Sequence, residues 1–132
     1  MHTAITEAIR NTGVFYIATV DADGEPHVRP FGAVAEFEGN VYLCTNNTKK
    51  CFAEMIAHPG IEISGMAQDG TWIRLTAQAV RDERVEAKEA MLEQNPQIKN
   101  MYTIGDGIFE VLRLDDISCT KCSFTAPPET IA

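Results

Sequence analysis

Short runs of β-branched and aromatic residues recur along the chain, and turn-forming residues separate them. Such runs are typical of β-strands, especially where apolar and polar positions alternate. The alternation is clearest in residues 73–79, where every second residue is Ile, Leu or Ala. The pattern predicts six or seven strands, at 14–20, 27–37, 41–45, 61–66, 71–81, 108–114 and 117–124.

Apolar residues at helical spacing predict helices at 3–11, 52–57 and 82–95, with a further helical turn at 97–102. The Pro-rich tail from residue 125 is predicted to be loose. Asp-Gly and similar turns join most strands as hairpins, and strands connected in this way usually close to remove exposed edges. The sequence therefore predicts a mainly β protein, an antiparallel barrel with two or three helices packed outside.

The chain has 132 residues, a length that fits a single domain over residues 1–132. Its formal net charge is −8, which disfavours binding to nucleic acid and to anionic membranes. No apolar run approaches the length that spans a membrane, and the N-terminal residues lack a signal-peptide pattern. We therefore expect a cytoplasmic protein that holds any anion through a local basic cluster.

One stretch without carboxylates contrasts with this acidic background. Residues 39–53 contain no Asp or Glu and carry Lys49 and Lys50. The predicted strand ends near Cys44 and Thr45, a polar turn follows, and a helix begins next to the two lysines. Free N–H groups at a helix N-terminus together with two ammonium groups suit a phosphate. The alternative is an ordinary connection with solvated lysines, since the glycines of a P-loop are absent.

Arg29, in the second predicted strand, is a further candidate for the same anion. Its planar guanidinium matches phosphate geometry, and His27 lies on the same face of the strand. The alternative is a surface residue on an edge strand. Pro30 cannot donate to a ladder, so it marks an edge, a bulge or a docking place. Trp72, the single tryptophan, either stacks on a flat ligand or lies half-buried in the core.

The four cysteines are Cys44, Cys51, Cys119 and Cys122, and free thiols are expected in a cytosolic chain. Cys119 and Cys122 form a C-x-x-C within a predicted strand, where the two sulfurs would point to opposite faces. A zinc site needs a second pair with matching spacing, which Cys44 and Cys51 do not provide. We therefore expect no metal site and reduced, partly buried thiols, with a redox or metal role left as an alternative.

The sequence contains neither a legible Ser-His-Asp set nor an H-E-x-x-H or G-x-G-x-x-G motif, so no catalytic residue is predicted and any chemistry has to come from a cofactor. The order of segments resembles the pyridoxamine 5′-phosphate oxidase-like family of FMN-binding split barrels. It is most similar to the small branch of general-stress and nitroimidazole-reductase-like flavoproteins. The resemblance depends on the order and spacing of the segments at 15–19, 42–50, 72–75 and 107–111.

This resemblance implies a homodimer with FMN at the subunit interface. The family's binding features are a strand along the isoalloxazine edge, a threonine at a strand end and a basic pair on the phosphate. A glutamine of the family's site aligns with a tryptophan here, and the subunit that would supply this side chain stays open. The corresponding residues are Arg29, Pro30, Phe31, Cys44, Thr45, Lys49, Lys50 and Trp72.

True pyridoxamine phosphate oxidases have a C-terminal segment with arginine and histidine, whereas residues 125–132 contain neither. We therefore expect a different substrate. The expected function is an FMN-dependent oxidoreductase that passes electrons from a reduced nicotinamide nucleotide to a small acceptor. The alternatives are a flavin-binding or thiol-based sensor without turnover, and the same fold with a deazaflavin or haem.

Overall fold

The computed structural model describes residues 2–131, which form eight strands and three α-helices. The strands are β1 (Phe15–Val20), β2 (Pro26–Phe31), β3 (Val34–Phe37), β4 (Asn40–Asn46), β5 (Gly60–Met66), β6 (Trp72–Asp82), β7 (Phe109–Cys122) and β8 (Glu129–Ile131). The helices are α1 (Thr3–Arg10), α2 (Lys50–Ala57) and α3 (Val85–Gln94), with a 3₁₀ helix at Pro96–Asn100. The predicted mainly β fold with flanking helices is confirmed. Over these same residues, no helix has the length and apolar character that crossing a bilayer requires.

Seven strands form one antiparallel sheet in the order β2-β1-β5-β6-β7-β4-β3, and β8 pairs with β7. β2 and β3 follow each other in the chain but lie at opposite ends of this order. Since only Gly32 and Ala33 separate them, the sheet curls until its two ends come close. Across residues 2–131 these two strands do not pair with each other, so the barrel stays split along this line.

The inside of the barrel is one hydrophobic core. Alternate strand residues such as Ile17, Ile63 and Leu75 point inward and are fully buried. α1 contributes Ile9 to this core, and α2 contributes Met55. Burying one such side chain stabilises the fold by about 1.5–3 kcal/mol. This burial fixes α2 against the barrel and therefore fixes the direction of the residues just before it.

A second core lies on the opposite face of β3, β4 and β7. Met91 of α3 and Ile98 of the 3₁₀ helix pack there against Tyr42 and Val111. The hydroxyl of Tyr42 donates to the carboxylate of Asp82 at 2.7 Å, so the one polar group of this large side chain is satisfied. This packing fixes the 3₁₀ helix close to β4.

Two strand boundaries differ from the prediction. The predicted strand at 27–37 is two strands, because the chain leaves one end of the sheet at Gly32 and enters the other end. The predicted strands at 108–114 and 117–124 are one strand, β7. Its two adjacent aspartates form a bulge instead of a break, where the register with β6 shifts and Asp116 adopts a φ of 53°.

The last two differences concern the third helix and the tail. α3 begins at Val85 and not at residue 82, because Asp82 is the last residue of β6. The tail that was predicted to be loose contains β8, which pairs with residues 119–121 of β7. The tail prediction was wrong because a backbone ladder needs no hydrophobic pattern of its own.

Candidate functional site

A cavity of about 290 Å³ opens where the barrel is split. Its walls come from β2 and the link to β3, from the end of β4 and the start of α2, and from residues 97–102. The structure brings six of the eight predicted site residues to this cavity. These are Arg29, Pro30, Phe31, Cys44, Thr45 and Lys49.

The turn between β4 and α2 is held by two asparagines. The side-chain oxygen of Asn46 accepts the N–H of Thr48 at 3.0 Å and also the hydroxyl of Thr48. The side-chain amide of Asn47 donates to the carbonyl of Gly107 and to the carboxylate of Glu110, both at 2.9 Å. Asn is favoured in turns because its side chain can bond nearby backbone. These bonds fix the position from which Lys49 reaches the cavity.

Glu110 anchors this turn to the barrel. Its side chain is almost fully buried and receives two hydrogen bonds from Arg81, both at 2.9 Å. Burial alone raises the pKa of the Glu110 carboxyl, but the bonds from Arg81 and Asn47 outweigh it and hold the pKa below its usual range. A charged Glu110 therefore holds Asn47 at neutral pH.

Lys49 and Lys50 are both exposed at the start of α2, but only Lys49 lines the cavity. Among residues 2–131, no carboxylate lies within 4 Å of either ammonium group. Lys49 is the N-cap residue and gives no side-chain cap to the helix. The first-turn N–H of Phe52 already donates to the carbonyl of Lys49 at 3.2 Å, so the donors at this helix end are the N–H groups of Lys50 and Cys51, together with the positive end of the helix dipole.

Arg29 contributes a second positive group, which is already bonded. It lies opposite Ile17 in the β1–β2 pair and therefore on the inward face of the sheet. Its Nη1 donates to the hydroxyl oxygen of Thr19 at 2.7 Å, and its Nη2 donates to Glu54 of α2 at 3.3 Å. Arg29 and Lys49 line the same cavity, as the prediction that they bind one anion requires, and that shared anion stays a prediction. Sequence reasoning missed that Glu54 partners Arg29.

Two thiols and a hydroxyl lie between these positive groups. Cys44, Thr45 and Cys51 all border the cavity, and the Thr45 hydroxyl lies 3.6 Å from the sulfur of Cys51. Burial raises the pKa of the Cys44 thiol to about 12, although the nearby charge of Lys49 acts in the opposite direction. Cys44 is therefore a neutral, weakly polar part of the wall at physiological pH and not an activated nucleophile.

The region 97–102 forms an apolar wall that sequence reasoning did not assign to the site. Ile98 and Tyr102 are buried, and the Tyr102 ring stacks on Phe109 with ring centroids 4.9 Å apart. The side-chain amide of Asn46 donates to the Tyr102 hydroxyl at 3.2 Å. The helical turn was predicted here, but no local motif in the sequence indicated that it reaches β4.

The two remaining predicted residues lie elsewhere in one copy of the chain. Lys50 is not part of the cavity lining, and Trp72 borders a separate cavity of about 160 Å³. The Trp72 ring packs on Phe124, with ring centroids 4.6 Å apart. A contact between Trp72 and a ligand in the larger cavity would need a second copy of the chain, so this contact stays a prediction.

The C-x-x-C lies within β7, away from the cavity. Cys119 pairs with inward-facing Leu75, whereas Cys122 pairs with Trp72 on the other face. All four cysteines are free, and no cluster of metal-ligating side chains occurs in the described part of the chain. Burial raises the pKa of the Cys119 thiol to about 11. The two sulfurs lie on opposite faces of β7 as predicted, but both side chains are buried and not partly buried. Their reduced state stays a prediction.

The donors around the cavity fit a ligand with an anionic end and a flat, largely apolar body. Lys49 and the helix N-terminus suit a phosphate. Arg29 supplies directional donors, and Phe31, Ile98 and Tyr102 supply an apolar surface. FMN has this combination of a phosphate, a polyol chain and a planar ring. The residues present therefore fit FMN, although the cavity of one chain lies at the small end of ligand pockets, roughly 300–1,000 Å³.

Comparison with known proteins adds a family match to this geometry. The sequence model of the family described as pyridoxamine 5′-phosphate oxidase matches residues 1–111. No curated protein matches the chain. A solved structure of a NimC/NimA family protein from Clostridium acetobutylicum is 50% identical, covers 96% of this chain and 91% of that chain, and has a TM-score of 0.90.

Two more distant solved structures share the fold alone. A protein related to general stress protein 26, of the pyridoxinephosphate oxidase family and also from Clostridium acetobutylicum, is 13% identical with a TM-score of 0.74; the match covers 95% of this chain and 89% of that chain. A haem-binding protein from Mycobacterium smegmatis is 20% identical with a TM-score of 0.74; here the match covers 98% of this chain and 58% of that chain.

Proposed function

This chain belongs to the pyridoxamine 5′-phosphate oxidase family, and on that premise we propose that it is an FMN-binding oxidoreductase. FMN would lie in the cavity at the split of the barrel, with its phosphate beside Lys49 and its ring toward Arg29. A reduced nicotinamide nucleotide would donate electrons, and a small molecule would accept them.

The observation that carries this proposal is the pairing of two different kinds of positive group around one cavity. Lys49 has an exposed ammonium group at a helix N-terminus, with no carboxylate partner in the described part of the chain, and this suits a dianionic phosphate. Arg29 is held by hydrogen bonds and presents donors in a fixed direction, which suits the edge of a heteroaromatic ring. The apolar side chains of Phe31 and Ile98 line the same cavity.

When bound, FMN would supply two-electron redox chemistry, accepting a hydride from the nicotinamide and passing the electrons to the acceptor. The chain's own residues would bind and orient it. Pro30 has no N–H to compete for acceptors of the ring, and the neutral Cys44 thiol adds no charge to the wall. No side chain has to donate or remove a proton for hydride transfer.

A homodimer with FMN at the interface is part of the proposal. A cavity of about 290 Å³ accommodates only part of a ligand the size of FMN, so further walls are needed. The outward face of β1 and β2 offers Tyr16 and Val28 for this contact, with 49% and 67% of their surfaces exposed. Pro30 lies opposite Tyr16 on the same face, so the apolar surface continues to the cavity.

The first experiment is a titration of the purified apoprotein with FMN, followed by quenching of flavin fluorescence. We expect saturable binding, and we expect Lys49→Ala to weaken it by at least about tenfold, the scale of a lost bond to a charged group. Lys121→Ala is the matched control, because Lys121 is exposed and lies outside the cavity lining. Absence of binding, or equal affinities of the two variants, would overturn the phosphate site.

The second experiment separates turnover from binding and FMN from other ligands. Anaerobic addition of NADH or NADPH should bleach the bound flavin, whereas a sensor without turnover would keep its colour. Parallel titrations with haem and with a deazaflavin test the other ligands. None of the described residues lining the cavity is histidine, so the side chains that could hold a haem iron there would be Cys44, Cys51, Met101 and Tyr102. Tighter binding of haem than of FMN would overturn the proposal.

A further inference from the structure

Glu54 is a carboxylate next to the cavity that no sequence motif singled out. It lies one turn into α2, directly after the carboxylate-free stretch at 39–53. Its Oε1 accepts the hydroxyl of Thr19 at 2.6 Å and Nη2 of Arg29 at 3.3 Å. The Glu54 side chain is only 12% exposed and that of Arg29 is 24% exposed. This ion pair is therefore largely shielded from water, unlike a surface pair.

The bonds around Arg29 show which of its donors are already used. Nη1 points at three acceptors, the Thr19 hydroxyl at 2.7 Å and the carbonyls of Ile17 and His27 at 3.2 Å. The Thr19 hydroxyl in turn donates a hydrogen bond to Glu54, so Arg29, Thr19 and Glu54 form a closed triangle. An arginine has five N–H groups. Within residues 2–131, Nε–H and one hydrogen of Nη2 have no acceptor and remain for a ligand.

The same triangle determines the charge at this end of the cavity. Arg29 and Glu54 carry opposite formal charges, so the pair supplies N–H donors with little net charge. Without Glu54, the full positive charge of Arg29 would act on a ligand in the cavity. In a partly shielded site such a charge acts strongly, because the effective dielectric constant is far below that of water.

We propose that Glu54 is a positioning residue for Arg29 and that it lowers the positive potential acting on the ring of bound FMN. This inference rests on the FMN site proposed above. A reduced cofactor holds more electrons than an oxidised one, so a nearby positive charge favours reduction and a negative charge opposes it. Glu54 therefore keeps the reduction potential of bound FMN lower than Arg29 alone would set it.

The test measures the midpoint potential of FMN bound to the dimeric holoprotein for the wild type and Glu54→Gln. We expect reduced FMN to gain about tenfold in affinity relative to oxidised FMN in Glu54→Gln, a positive shift of about 30 mV for a two-electron couple. Glu7→Gln is the matched control, because Glu7 forms an exposed pair with Arg10 on α1 and lies outside the cavity lining. Glu54→Asp keeps the charge and should restore a potential close to that of the wild type.

A second variant tests positioning without changing any charge. Thr19→Val removes the hydroxyl between Arg29 and Glu54, and it should weaken FMN about fivefold, the scale of one neutral hydrogen bond. Its potential should stay near that of the wild type. Circular dichroism of each variant checks that it is folded, and the potential or the affinity is compared with the wild type only for a folded variant.

The outcomes separate the two proposals. If the wild type binds FMN and Glu54→Gln has the same potential as Glu7→Gln, the charge role of Glu54 is overturned and the FMN site stands. If the affinity of Thr19→Val for FMN equals that of the wild type, the positioning role is overturned. If the wild type does not bind FMN, the proposed function fails and the inference about Glu54 fails with it.

Discussion

The two positive groups of the cavity, Lys49 and Arg29, differ in their exposure and in their bonding. Lys49 is exposed, has no carboxylate partner among the described residues, and extends from a turn held by asparagines. Arg29 is three-quarters buried and is bonded to Thr19 and Glu54. An unpaired ammonium group in water attracts an anion without fixing its orientation. A bonded guanidinium instead orients a ligand and contributes little net charge.

The difference shows that one site can attract a ligand through one residue, Lys49, and orient it through another, Arg29. It also predicts separable effects of mutation. A change at Lys49 should alter ligand affinity and leave the fold intact, because its side chain forms no ion pair or hydrogen bond within residues 2–131. A change at Arg29 should alter the fold as well, because it leaves Glu54 without its ion-pair partner.

The largest expected effect is that of Arg29→Ala on the apoprotein. The substitution leaves the Glu54 carboxylate partly buried and unpaired, so the free energy of unfolding should fall by about 3 kcal/mol. Urea unfolding without FMN measures this value. The double variant Arg29→Ala/Glu54→Gln should recover part of the loss. A decrease of less than about 0.5 kcal/mol, the usual range for surface substitutions, would show that Arg29 is no more important for the fold than Lys49.

Lys49→Ala should produce the opposite pattern. Its affinity for FMN should fall by about 2 kcal/mol, the scale of a hydrogen bond to a charged group, and its unfolding free energy should change by less than about 0.5 kcal/mol. Lys50→Ala should cost less affinity than Lys49→Ala, because Lys50 lies outside the lining. Calorimetric titration of both variants checks the order. A larger effect of Lys50→Ala would contradict the geometry of the turn.

The next effect concerns alkaline pH and the Cys44 thiol, which lines the cavity together with Lys49 and Arg29. Burial raises the pKa of Cys44 to about 12, so the folded thiol stays protonated while the unfolded thiol ionises near pH 9. The stability from this group is therefore complete below about pH 9 and is lost as the pH rises toward 12. Between pH 8 and 10 we expect Cys44→Ala to lose about 1 kcal/mol less stability than the wild type. Parallel pH profiles of the two proteins would contradict this.

The smallest expected effect is that of the C-x-x-C on the site. Cys119 and Cys122 lie on opposite faces of β7 and do not line the cavity. Cys119→Ala/Cys122→Ala should therefore leave the affinity for FMN unchanged within about twofold, as expected for distant, independent positions. A large loss of affinity would connect the thiols to the ligand and favour a sensor function.

The same contrast explains what the sequence could predict. The alternation of β6 and the lysine turn depend on neighbouring residues, so both were predicted. The division of 27–37 into β2 and β3 could not be, because it follows from closing the sheet on itself. The bulge at Asp116 resembles a turn in sequence, and only pairing with β6 shows that the strand continues.

At the site, Arg29 and Lys49 were predicted from their residue types and from the family resemblance, whereas Glu54, Ile98 and Tyr102 were not, because nothing in their local sequence indicates where packing places them. Glu54 lies five residues after Lys49, but it meets Arg29 only because α2 packs on the barrel. Ile98 and Tyr102 are distant in sequence from the rest of the lining, and their turn has no distinctive motif. Trp72 was assigned to the site by resemblance. It lies outside the cavity lining of its own chain, so it could contact the ligand only in a dimer.

The most direct test of the central claim compares FMN with riboflavin, which has the same ring and polyol chain but no phosphate. We predict that the wild type binds FMN at least about tenfold more tightly than riboflavin, since the phosphate forms charged bonds at Lys49 and the start of α2. In Lys49→Ala this preference should be largely lost. Equal affinities of the wild type for both ligands would contradict the account.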